Sequence, residues 1–514
     1  MTTETVTPYR SQASSGNERF WHLLHAEFTK FRTVRGWVIT MIIAILASSA
    51  FVFLSSRAQC SAGGSTCPPP PAGPGGEPVA DAFYFAHQPL TGNGTITVQL
   101  TSLTGDFQNQ NPNGRSVMER EGPQPWSKAG IIIKENTSQG SAYAAMMVTG
   151  SHGVRMQWNY VNDTPGLGKG AGEAGGVSAS SPRWLRLVRT GDTIAGYDSA
   201  DGTHWTLGGT ATLPGLPATV QSGLFAASPN DSTGAVTLAT GVFRHVGLSW
   251  PATGWTGTNV GGTTSVNGVG VPGSLRQSGG ALTVSGSGDI SPLAGNFSVL
   301  TVQTALFGSF AAMSALIVVG VMFITTEYRR GMIRVSLTAS PRRGRLLAAK
   351  AIVIGVVSFV TGMIAAALAI AVGTRVLGKG GLPLSPIPAL TEVRMIVGTG
   401  ALLAVAAVLA LATGTILKRG AAAVTTVIAV TFIPFLLAIL PTSPVGLREW
   451  LLRITPAAAF SVQQAQPQYS QVIATYTPNG GYYPLAGWAG LTVECAWAAV
   501  ALTLAFYLLR GRDA

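Results

Sequence analysis

Six long apolar runs punctuate the chain, at residues 36–54, 299–325, 346–373, 395–417, 421–440 and 485–509. At a rise of about 1.5 Å per residue, runs of this length cross a hydrocarbon core of about 30 Å. Each is therefore expected to be a membrane-spanning helix. Residues 1–17 are polar and read as disordered. Residues 18–35, ERFWHLLHAEFTKFRTVR, set Phe20, Leu23, Leu24, Phe28 and Phe31 at helical spacing, with Arg19, His22, Glu27, Lys30 and Arg32 around the rest. That pattern predicts an amphipathic helix lying in the interface on the cytoplasmic face, its rings among membrane lipids. The 36–54 run comes next without a small-residue cleavage pattern and is expected to remain as an anchor.

The period changes between the first two runs. Residues 57–80 are rich in Pro and Gly, including PPPP, and predict an extended tether that holds the next domain away from the bilayer. Residues 81–251 carry short alternating runs, of which Trp184–Arg189 is the clearest, separated by turn pairs such as Gly191-Asp192 and Asp201-Gly202. Many short strands at this spacing predict a β-sandwich or jelly roll. Residues 252–297, rich in Gly, Ser and Thr, either add edge strands or form a loose return to the membrane. The expected fold is a polytopic α-helical membrane protein with six transmembrane helices and an inserted extracellular all-β domain.

Charge sets the sidedness. The segment TTEYRRGMIRVSLTASPRRGRLLAAK, Thr325 to Lys350, holds seven cations against one acid, Glu327. A short basic loop between apolar runs stays cytoplasmic. The loop at 326–345 is thus inside, as are the N-terminus and the tail at 510–514, and the large domain is outside. The segment 441–484 is outside too, and its LREWLLRITPAAAFSVQQ predicts a stretch that dips into the interface. The chain is 46% hydrophobic, only 11% charged and has a net charge of +12. The excess cations cluster at run ends, so topology accounts for them and no nucleic-acid partner is expected.

Candidate chemistry is sparse. Cys60 and Cys67 bracket CSAGGSTC, where a local disulfide and two free thiols both fit, and three cysteines give no metal-site spacing. Glu119 and Glu121 would share one face of a strand, but a glycosidase pair needs an acid and a base or nucleophile flanking the bond, and no third acid comes at the expected spacing. No GxxxxGK[ST] phosphate loop occurs. Glu494 lies inside the last apolar run, where acids are rare and mark function; pairing with a cation such as Arg394, lining a cavity and a hydrogen-bonded structural role all fit it. Gly362, Ala366, Ala369 and Gly373 suit close helix packing.

These residues carry two resemblances. The runs AGIIIKENTSQGSAYAAMMVTGSHGVRMQW, RWLRLVRTGDTIAGYDSADGTHWTLGG and SGLFAAS resemble the concanavalin-like lectin/glucanase (laminin-G-like) jelly rolls, which implies a fold whose relatives bind or cleave sugars. EYRRGMIRVSLTASPRRGRLLAAK, with LLHAEFTKFRTVRGW ahead of the first run, resembles the permease subunit of actinobacterial ABC-2 type exporters. That resemblance implies a coupling helix in the basic loop, with Glu327, Arg329, Arg330, Gly331, Arg334, Pro341, Arg342 and Arg343 as the residues meeting a cytoplasmic ABC ATPase subunit. It implies a permease homodimer or heterodimer, ATP and Mg2+ bound by the partner and not by this chain, and no catalysis here. The large insertion between the first two spans departs from the family. The other reading is a membrane-anchored surface receptor or sensor that binds cell-wall glycan through the outer domain.

Overall fold

The computed structural model describes residues 20–58, 70–110, 116–120, 122–168, 177–231, 235–262, 264–266, 269–293, 302–332, 343–379, 387–440, 443–472 and 482–511. Helices α1 (Phe20–Thr33) and α2 (Arg35–Ala58) open the chain. Nineteen strands come next, from β1 (Val79–Asp81) to β19 (Ile290–Pro292). The helical part then comprises α3 (Val302–Ala305), α4 (Ser309–Arg329), α5 (Arg343–Lys379), α6 (Ala389–Leu417), α7 (Gly420–Ile439), α8 (Val445–Ile454), a 3-10 turn at Pro456–Gln463 and α9 (Gly487–Gly511).

Among the described residues five helical segments are long and apolar enough to cross a membrane: Val302–Arg329, Arg343–Arg375, Ala389–Leu417, Gly420–Ile439 and Gly487–Gly511. The first expected span falls on α2, which with α1, across a bend of 75°, makes up a bent pair that raises the number of candidates to six if the pair is one span. The helix that carries the fourth expected span, 395–417, runs from Ala389 to Leu417. Small residues set the close crossings. A Cβ on Gly400 of α6 would lie 2.9 Å from the Phe359 carbonyl oxygen of α5, and one on Gly362 would lie 2.9 Å from Gly400 Cα. Gly320 brings α4 equally near the Ala407 carbonyl of α6. α6 is consequently the central helix, packed against α4, α5, α7, α9 and the 3-10 turn. That turn is wholly buried: Phe460 stacks on Phe310 with centroids 4.4 Å apart and meets Phe435 at 4.8 Å. The LREWLLRITPAAAFSVQQ stretch forms α8, whose Leu447, Trp450 and Ile454 are exposed, and then this buried turn.

The β region is two antiparallel sheets. One runs β11 (Thr206–Thr212), β10 (Thr193–Ser199), β9 (Arg183–Thr190), β3 (Gly94–Gln110), β13 (Thr237–Leu248), β18 (Ala281–Gly286) and β17 (Ser274–Ser278), with β4 (Ser116–Arg120) beside β3; the other runs β14 (Thr256–Val260), β2 (Phe83–Thr91), β12 (Thr219–Ala227), β5 (Lys128–Lys134), β6 (Tyr143–Thr149), β7 (Val154–Trp158) and β8 (Asn162–Pro165). Strand β9 (Arg183–Thr190) buries Leu185 and Leu187 and leaves Trp184 and Arg186 half-buried between them, as its period-two pattern requires. Leu185, Leu187, Ile131, Ile133, Met146 and Phe243 meet between the sheets. Strand β5 (Lys128–Lys134) is buried at every position, because a second apolar layer with Phe83, Tyr143, Tyr160 and Ile290 covers the other face of its sheet.

The domain is larger than 81–251. It begins at β1, and residues 252–297 supply β14 to β19: β14 (Thr256–Val260) pairs with β2, β18 (Ala281–Gly286) with β13, and β19 with β1. Edge strands, not a loose return, occupy that stretch. The tether also differs from expectation. Its last part folds back, with Ala72 bridged to Pro78 and the Gly73 amide donating to the Glu77 carbonyl. Nor does it hold the sandwich away from the helices. Ser470 Oγ donates to Asp163 at 2.9 Å and Gln471 Nε2 to the Tyr160 carbonyl at 2.8 Å, so the segment after the 3-10 turn fastens the sandwich to the bundle. Two buried lysines fix the strands by which the chain enters and leaves the domain: Lys134 Nζ lies 2.8 Å from Asp81 of β1, and Lys128 Nζ 2.6 Å from Asp289 beside β19.

Candidate functional site

At the end of the bundle away from the sandwich, four charges from three helices converge. Lys350, in the second turn of α5, donates to Glu27 Oε2 of α1 at 2.7 Å and to Glu327 Oε1 of α4 at 2.8 Å. Lys30 of α1 donates to the same Glu327 oxygen at 2.7 Å and lies 3.3 Å from Glu27. The side chain of Lys350 is fully buried, those of Glu27 and Glu327 nearly so, and that of Lys30 is 36% exposed. Two cations against two anions leave no net charge, which is what permits burial. Removing any one would strand an opposite charge in a low-dielectric site.

Aromatic rings close this cluster. Lys350 Nζ sits 4.5 Å from the Phe323 ring centroid, a desolvated cation over a π face. Phe323 packs edge-on against Phe31 at 5.8 Å and Trp37 at 5.3 Å. α1 thus turns Glu27, Lys30 and Phe31 inward, while Trp21 and Phe28 point outward, 73% and 44% exposed. Of the expected apolar face, Phe31 is buried and Leu24 packs against the core, whereas Phe28 is exposed. A helix exposing large rings on one side and bound by ions on the other is built to lie along an apolar surface.

The basic loop's residues divide around this cluster. Glu327 is in it. Arg329 and Arg330 are exposed where α4 ends, and Gly331 turns the chain out at φ +66°, a left-handed conformation suited to glycine. Arg343, at the start of α5, donates from Nη1 to the Leu509 carbonyl at 2.7 Å and so ties α5 to the last turn of α9. A Cβ on Gly344 would meet the Phe506 ring, so that junction is close. Arg334, Pro341 and Arg342 lie outside the described residues, as do Cys60, Cys67, Glu121 and positions 333–342 of the basic loop, where the coupling helix is expected. Glu119 stands on β4 (Ser116–Arg120) opposite Phe107.

Glu494 is buried on the face of α9 that also carries Gly487, Gly490 and Ala498. Neither of its carboxyl oxygens has a hydrogen-bond partner among the described residues. It does not pair with Arg394, whose Nη2 donates instead to the Gln464 carbonyl. Among the described residues no group of three or more His, Cys, Asp or Glu is arranged to hold a metal ion.

The residues that the sequence reading left aside are Glu27, Lys30 and, as more than a topological charge, Lys350. The signal for Glu27 is its position: it lies three residues after Leu24 and four before Phe31, inside the apolar stripe of α1. An acid there requires a buried cation, and Lys350 is the cation eight residues past Arg342, one turn beyond the start of an apolar run.

No protein-family model matches the chain, and no curated protein matches it. Among solved structures, a functionally unknown protein from Saccharomyces cerevisiae is similar over 33% of this chain and 76% of that chain, at 14% identity and a TM-score of 0.21.

Proposed function

We propose that the chain is the membrane-spanning permease subunit of an ABC-2 type exporter, driven by ATP hydrolysis in a separate cytoplasmic subunit docked at the loop between α4 and α5. The observation that carries this reading is the buried cluster of Lys350, Glu27, Glu327 and Lys30. It joins the interfacial helix α1 to both helices that flank the basic loop, so a push on the loop moves α1, α4 and α5 as one body. Exposed Arg329 and Arg330 stand immediately beside it, available to a partner's acids. A bundle that moves material uphill without a phosphate loop takes its energy from elsewhere, and a rigid charged platform at one end is a fit place to receive it. In this reading the sandwich lies outside, two permease chains pair, and the N- and C-termini are cytoplasmic.

The test is mass spectrometry of what co-purifies with the detergent-solubilised chain, wild type beside Arg330→Glu/Arg334→Glu. A phosphate-loop ATPase is expected with wild type and lost in the charge reversal. The same set of proteins with both forms, none of them an ATPase, would remove the transporter reading and favour the outer domain as the seat of function.

A further inference from the structure

We propose that the cavity where α6 and α9 begin is a binding site for an anionic amphiphile, a phosphate ester with an apolar body. The cavity has a volume of about 740 Å³, within the range of small-molecule sites and far larger than a bare ion needs. It lies at the sandwich end of the bundle, a full helix length from the ion cluster, and nothing in the transport reading assigns it a role. Its charged lining is Arg394 and Arg453, joined by the amides of Gln464 and Gln466; among the described residues no acid lines it.

Both guanidinium groups keep their charge available. Arg394 gives one N–H to the Gln464 carbonyl, and its buried Nε has no partner among the described residues. Arg453 stands 3.5 Å from Glu449 Oε2 with its side chain 42% exposed, a solvent-screened contact of little strength. The nearest acids do not neutralise the space. Glu392 is exposed in the first turn of α6, and Glu77 lines a separate cavity of about 240 Å³ that shares Pro388, Ala465, Gln466 and Pro467. Two helix starts add to the positive potential. α6 begins directly after Pro388, and α9 begins at Gly487, so the amide ends of two long helices border the same cavity. Paired guanidinium groups suit the geometry of phosphate oxygens.

The apolar half of the ligand is set by the remaining wall and the setting. Pro484, Leu485 and Ala486 face Pro388 and Pro467 across the cavity. Arg453 belongs to α8, whose exposed Leu447, Trp450 and Ile454 mark a helix lying at an apolar surface. A headgroup held by the arginines would leave its chains beside that helix. The site is defined by its cavity and charges and stands whether or not an ATPase drives the bundle.

The test uses the full chain, purified and delipidated, with native mass spectrometry of bound dioleoyl phosphatidylglycerol, dioleoyl phosphatidylcholine and glycerol phosphate. Phosphatidylglycerol is expected to bind wild type about tenfold more tightly than phosphatidylcholine. Arg394→Gln/Arg453→Gln is expected to lose about that tenfold preference, whereas Arg419→Gln, an exposed cation at the other end of α6, keeps it. Thr391→Trp fills the cavity without touching a charge and is expected to weaken phosphatidylglycerol binding as much, which decides the matter should the double variant fail to fold. Equal binding of the two lipids by wild type, or unchanged phosphatidylglycerol binding in Thr391→Trp, overturns the proposal. Glycerol phosphate binding as tightly as the lipid would overturn the amphiphile and leave a soluble phosphoester in its place.

Discussion

Lys350 carries more of the structure than any other single charge. Its ammonium is fully buried and answers two carboxylates. Lys350→Met would leave Glu27 and Glu327 sharing only the half-open Lys30, and is expected to cost about 3–5 kcal/mol, read as a lower melting temperature of the detergent-solubilised chain. Lys30→Met should cost clearly less, because its side chain is 36% exposed and water can replace it. Glu494 is expected to behave in the opposite way. With no partner among the described residues for either oxygen, Glu494→Gln should leave the melting temperature within the equivalent of about 1 kcal/mol or raise it; a large loss would mean that Glu494 is ionised and paired in the assembled protein. At this scale the sequence was only half legible. The rarity of Glu494 in an apolar run is visible without coordinates, and so is the acid at Glu327. The partnership of Glu27 with Lys350 spans 323 positions and depends on how α1 bends against α2, which no local pattern encodes.

Elements were more legible than partnerships, for a physical reason. A strand such as Trp184–Arg189 has a face buried in a dense sandwich, so its composition is forced, and its structural counterpart is β9. The strands of 252–297 were harder to read, and a loose return stayed open beside them, because Gly-, Ser- and Thr-rich segments bury little and draw their stability from pairing with β2 and β13. β14 shows how slender such an edge is. His87 of β2 lies between Gln221 Oε1 at 2.8 Å, to which Nδ1–H donates, and Thr258 Oγ1 of β14 at 3.0 Å, from which Nε2 accepts. Burial holds its imidazole below the ordinary value of 6.5, against the raising effect of the hydrogen bond it donates to Gln221. The folded state therefore binds fewer protons than the unfolded state, and stability is lost as pH falls from 6.5 through the lower folded value. The protection of the Thr256–Val260 amides against hydrogen exchange, taken relative to the intrinsic rate at each pH, should fall between pH 7 and about pH 5 in wild type. In His87→Gln the same amides should show no such loss of protection. Among helices, the crossing at Gly400 is tight enough to predict its own failure: Gly400→Val presses a side chain on the Phe359 carbonyl and should cost about 1–3 kcal/mol in a thermal melt.

The whole molecule is a bundle with different attachments at its two ends. One end gathers Lys350, Glu27, Glu327 and Lys30 beside the exposed Arg329 and Arg330. The other holds the sandwich through Ser470 and Gln471, next to the arginine-lined cavity. A long linker of proline and glycine concealed that second attachment, because hydrogen bonds formed by the distant 464–471 segment decide where the sandwich rests. The account's central claim is that the ion-cluster end receives a nucleotide-hydrolysing partner and the sandwich end does not. Site-specific photo-crosslinking in intact cells tests it directly, with the crosslinker placed at Arg330 in one variant and at Ser470 in another. The account predicts a covalent adduct with a phosphate-loop ATPase from position 330 and none from position 470. An ATPase adduct from 470, or none from 330 while the protein is folded and in the membrane, would contradict it.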